Sequence, residues 1–191
     1  MSKMSKAIAV LGVVAGLGVA ALPLSSYAVS DTASTTAQAI IGDSIAVTVA
    51  DATVTMNNVM ANQDVNEAST NVTIQTNSAT GYQVQIKDAD SDTALKTTDG
   101  TGTSTGIPAG TPTKGTNAWG FKASSSAANV TIGSSAQGYR AIDTTNLMVA
   151  EGTAASANDG DVINLTFGVT VDTTIAAGTY QDEVVLTAST K

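Results

Sequence analysis

Over residues 162–171, Ile163, Leu165, Phe167, Val169 and Val171 alternate with Asn164, Thr166, Gly168 and Thr170. A period of two puts five apolar side chains on one face of an extended chain. A helix would scatter the same residues around its axis, so this segment is expected to be a half-buried β-strand. The pattern recurs at shorter length. Ile45, Val47 and Val49 mark a first strand, followed by Val54 and Met56. Val72 and Ile74 precede the turn-forming run Asn77-Ser-Ala-Thr-Gly81, and Tyr82, Val84 and Ile86 follow it, which reads as a hairpin. Trp119, Phe121 and Ala123, then Val130 and Ile132, then Leu147 and Val149, add further strands. Tyr180, Val184, Leu186 and Ala188 supply the last, expected beside 162–171 across a short connection. Eight or nine short strands without a long helical pattern point to an all-β, antiparallel β-sandwich of Ig-like or pilin-like type.

Composition narrows the chemistry. The chain has no cysteine and no histidine. Disulfide frameworks, thiolate metal sites, thiol nucleophiles, His-based triads and His zinc sites are therefore excluded. Sixteen acidic against eight basic side chains give a net charge of −8. That excess argues against nucleic acid as a partner, because such affinity rests on Lys and Arg neutralising phosphates.

The first 28 residues read as an export signal. Lys3 and Lys6 precede the uncharged apolar run 7–24, and Ser26-Tyr27-Ala28 places small residues where a signal peptidase reads them. Cleavage is expected after Ala28, and the product is expected outside the cell or on its surface. Contact with a membrane is expected only through this segment, if it is retained. Residues 29–39 read as a flexible leader and 40–191 as a single domain. A Gly-, Thr- and Pro-rich stretch at about 88–117 reads as a long exposed loop.

Few motifs carry chemistry. Asp88, Asp90 and Asp92 alternate, and Asp99 stands eleven residues after Asp88. Calcium loops place oxygen ligands at alternate positions and close with an acid at the twelfth, so these four are the candidate metal ligands. Thr93 stands where such loops carry Gly, and the plainer reading is an acidic, solvated turn. No other cofactor is expected. Trp119 and Phe121 with Tyr82, Tyr139 and Tyr180 read as core filling in a chain poor in aromatics, and alternatively as a stacking platform for a glycan. Asp182 and Glu183 adjoin, so a strand would point them to opposite faces and they are not expected to act as a catalytic pair. Three Asn-x-Thr sequons, at Asn71, Asn129 and Asn164, fall in expected strands of a Thr-rich chain.

Three blocks resemble a recurring type of bacterial secreted surface protein: Val72-Thr-Ile-Gln-Thr-Asn-Ser-Ala-Thr-Gly-Tyr82, Trp119-Gly-Phe121, and the closing 171–188 with its Ala177-Gly-Thr-Tyr180. The ending is similar to the last strands of spore-coat-U-like and fimbrial sandwich subunits, and more distantly to WxL wall-binding proteins. The resemblance implies an extracellular sandwich that builds or decorates a surface. The expected function is thus a structural or adhesive surface protein, not an enzyme, whose partners are other envelope proteins or copies of itself. A calcium- or carbohydrate-binding extracellular module is the alternative. The segment 40–56 is the expected donor or edge strand, and 180–188 the expected acceptor edge.

Overall fold

The alternation at 162–171 forms β8 (Asp161–Thr170), flanked on both sides by strands of the same layer. The computed structural model describes residues 35–98 and 106–191. The export signal, most of the leader and Asp99 lie outside the described residues. Residues 40–191 make one unit.

Ten strands lie among the described residues: β1 (Ile45–Val49), β2 (Asn66–Thr76), β3 (Tyr82–Asp88), β4 (Lys96–Thr97), β5 (Ala118–Ser125), β6 (Val130–Ile132), β7 (Leu147–Gly152), β8, β9 (Tyr180–Gln181) and β10 (Val184–Thr190). One sheet runs β1-β2-β8-β5, the other β10-β3-β7-β6, and β4 pairs with β9 in a short ribbon. All pairings between these strands are antiparallel. The inward residues of both sheets share one core, with Val72, Ile74, Ile163 and Leu165 from the first and Tyr82, Val84, Ile86 and Val149 from the second. The fold is therefore an all-β antiparallel sandwich, as the alternation implies. The sole helical piece among the described residues is a 3-10 turn, Ser134–Ala136. Among them, no helix is long and apolar enough to cross a membrane.

Two expected pairings do not form. β2 and β3 are not a hairpin: β2 lies between β1 and β8, whereas β3 lies between β10 and β7. The connection 77–81 crosses from one layer to the other. Gly81 makes this possible, with φ of +86° and a backbone so close to Gly152 that a Cβ would sit 2.2 Å from its carbonyl oxygen. Ser78 is fully buried in this crossing. Likewise β8 and β10 belong to different sheets. The turn between them is held by Asp172, which accepts from the Thr174 N–H and from Asn117 Nδ2.

The stretch expected as one long exposed loop is partly core. Leu95 and Ile107 are buried and exchange backbone hydrogen bonds with each other, and β4 anchors the segment to β9. Val54 and Met56 do not form a strand. Asn58 and Asn62 adopt left-handed φ values of 56° and 57°, which a strand cannot accommodate. Residues 50–65 instead run as an irregular strap, with Val54, Met56 and Val59 half-buried against the core.

Candidate functional site

β1 ends at Val49, but its partner β2 begins as early as Asn66. The unpaired part of β2 is crossed by the 50–65 strap, which is tied down by Ala50 N–H to the Asn71 carbonyl and Asn62 N–H to the Val171 carbonyl. On the other layer, the 172–183 segment passes over the start of β10. Between the two straps the sandwich opens into a groove of about 1360 Å³. Its lining includes the buried Leu165, Phe167 and Val169 of β8 and the half-buried Leu186 of β10.

Among the described residues, the large exposed apolar side chains are Ile40, Ile41, Val47, Val49, Met60, Val162 and Val185. Ile40 and Ile41 are 89% and 83% exposed, and Val47 and Val49 of β1 remain well exposed. Val47 and Val49 pair in register with the buried Ile74 and Val72, so they lie on the inward side of their sheet. They are exposed because β1 is an edge that the opposite layer covers only in part. β10 is the corresponding edge of the second sheet.

The groove's rim is acidic, with Asp51, Asp90, Asp92, Asp182 and Glu183 on it against Lys96. Of the four expected metal ligands, Asp88, Asp90 and Asp92 lie among the described residues. Asp88 continues the inward parity of Tyr82, Val84 and Ile86, so its carboxylate turns into the protein and is 1% exposed. Its Oδ1 accepts the Asp90 N–H at 2.7 Å. Asp90 Oδ1 accepts the Asp92 N–H, and Asp92 Oδ1 the Ala94 N–H. Asp92 also pairs with the Lys96 ammonium at 2.6 Å, which together with the Ala94 N–H holds its carboxyl below the usual range. Asp92 is thus paired with Lys96. Among the described residues, no three acidic side chains converge as a ready-made metal cage.

A residue that the motif did not include faces Asp88. Asp182 shares parity with Val184 and Leu186 of β10, and Val184 is the register partner of Asp88. Its side chain therefore points inward beside Asp88, and the Ala89 N–H to Glu183 carbonyl bond at 3.0 Å clamps the two segments together. Burial pushes the Asp182 carboxyl up to about 7, and the facing Asp88 carboxylate adds to the rise. Parity alone could have revealed Asp182, since Tyr180, Asp182, Val184 and Leu186 are spaced by two.

The aromatics are mostly core. Trp119, Phe121 and Tyr82 are buried, and the Trp119 ring lies 6.4 Å from that of Phe167. Trp119 Nε1 donates to the Thr93 carbonyl, which fastens the acidic loop to the core. Tyr82 donates to Asp161 Oδ2 at 2.9 Å, and Asn129 Nδ2 and the Ala157 N–H also donate to this carboxylate. Tyr139 lies on the outward face of the first sheet, over Gly168 and beneath the Lys122 ammonium.

No protein-family model matches the sequence, and no curated protein matches it.

Proposed function

We propose that this protein is an exported surface subunit that works by association, taking an apolar extended segment of a second copy of the chain into the groove between its straps. The groove itself carries this reading. It is lined by apolar side chains of both sheets and placed beside two sheet edges. The chain also carries a segment suited to fill it, the exposed Ile40-Ile41 pair leading into β1. A groove at one site and an apolar segment at another make a heterologous contact, which propagates head to tail. Main-chain pairing along a free edge supplies affinity, and burial of the isoleucines contributes about 1.5–3 kcal/mol each. The expected export signal and the resemblance to secreted and fimbrial sandwich subunits support a surface location. Structural or adhesive work needs no catalytic group, and none is assigned.

Sedimentation velocity over about a hundredfold range of concentration tests the proposal, because self-association follows mass action. The expected result is a sedimentation coefficient that climbs with concentration and falls back in the Ile40→Asp, Ile41→Asp double variant. A single monomeric species at every concentration would contradict it.

A further inference from the structure

The structure holds two kinds of buried carboxylate, and the contrast between them is informative. Asp161 is 2% exposed and saturated with donors: the Tyr82 hydroxyl, the Asn129 amide and the Ala157 N–H. That is how a buried acid is kept when its role is structural. Asp88 is just as buried, but its Oδ2 has no hydrogen-bond partner. Asp182 Oδ2, buried beside it, has none either. Two carboxylate oxygens facing each other are both acceptors and cannot satisfy one another while ionised. Lys96 is the basic side chain drawn to this corner, and Asp92 holds its ammonium. Asp90 adds a further negative charge alongside Asp182.

We propose that Asp88 and Asp182 together bind a hard divalent cation, calcium, where the end of β3 meets the turn before β10. Oxygen donors and the absence of His and Cys exclude the softer transition metals. Calcium accepts 6–8 oxygens and tolerates irregular shells, so two carboxylates can be completed by main-chain carbonyls and water. The site differs from the linear Asp88, Asp90, Asp92, Asp99 loop: it joins the end of β3 to the 182–183 turn before β10, and Asp92 is not a ligand. A cation there would fix the acidic loop and the 172–183 strap relative to each other, and so set the width of the groove mouth. This inference does not depend on the groove's occupant.

Calcium chloride titrated into the chelator-treated full chain tests it, read by calorimetry, by Tm and by the fluorescence of Trp119, which is bonded to the same loop at Thr93. The expected result is one bound calcium per chain, a Tm higher by about 5 °C at saturation, and a change in Trp119 emission. Asp182→Asn should abolish all three. It should leave the metal-free chain at least as stable as the wild type, because its amide can donate to Asp88. Asp92→Asn should bind calcium as the wild type does. Absence of calcium uptake by the wild type would overturn the proposal and leave a proton shared between the two carboxyls. Undiminished binding by Asp182→Asn would overturn it equally, by placing the cation elsewhere.

Discussion

Tyr82 shows how a single polar atom can fasten two layers. Its ring belongs to β3 of one sheet, while its hydroxyl reaches Asp161 at the start of β8 in the other. Tyr82→Phe keeps the ring's packing but removes one of the three donors to a buried carboxylate. It is expected to cost about 1–3 kcal/mol in urea unfolding. Gly168 is constrained by space: a Cβ there would meet the Tyr139 ring at 2.5 Å. Gly168→Ala is expected to destabilise by about 1–3 kcal/mol through overpacking, and Tyr139→Ala in the same chain should recover part of that loss. Glu67 illustrates the sign of a pH effect. The Lys122 ammonium and then the Tyr139 hydroxyl hold its carboxyl below the ordinary 4.5. Its contribution is therefore present above pH 4.5 and lost as pH falls through the folded value. The pair is partly exposed, so the loss should stay under about 1 kcal/mol, and Lys122→Met should flatten that part of the acid-unfolding curve. At this level the sequence was readable where parity could be counted. Tyr82, Trp119 and Phe121 fill the core as their rarity implied. Asp182 was not legible because its neighbour Asp88 is 94 residues away in sequence and is brought close only by the β3–β10 register.

Strand existence was legible, whereas strand partnership was not. The alternation in β3, β5 and β8 fixes which side chains turn inward, because period two is a local property of an extended chain. It says nothing about which strand lies alongside. The Asn77-Ser-Ala-Thr-Gly81 turn satisfies the residue preferences of a hairpin, and the same residues also serve a crossing between layers. The choice is made by burial of Ser78 and the close approach of Gly81 to Gly152, both long-range facts. The straps were illegible for a related reason. Val54 and Met56 alternate as a strand would, but Asn58 and Asn62 turn the backbone left-handed. The β1 edge is where this matters for behaviour. Val47→Lys with Val49→Lys puts charge on an uncovered edge without touching a filled core position. Such a variant is expected to retain the wild-type circular dichroism spectrum and to lose self-association in sedimentation.

Taken together, two sheets meet over a shared core, and straps 50–65 and 172–183 frame a groove beside it. Composition had removed most chemistry before the fold was known, since a chain lacking His and Cys has few catalytic options. What composition could not supply was the opening itself, which arises because β1 is five residues long while β2 is eleven. The central claim is that this opening receives the 40–41 segment of another copy. The chain contains no cysteine, so introduced thiols report without background. Chains carrying Ile41→Cys, mixed with chains carrying Ala177→Cys on the groove rim, should form an intermolecular disulfide under mild oxidation. The account expects that mixed dimer in preference to one between Ile41→Cys and Thr131→Cys on β6. Equal cross-linking to both partners, or none to either, would contradict it.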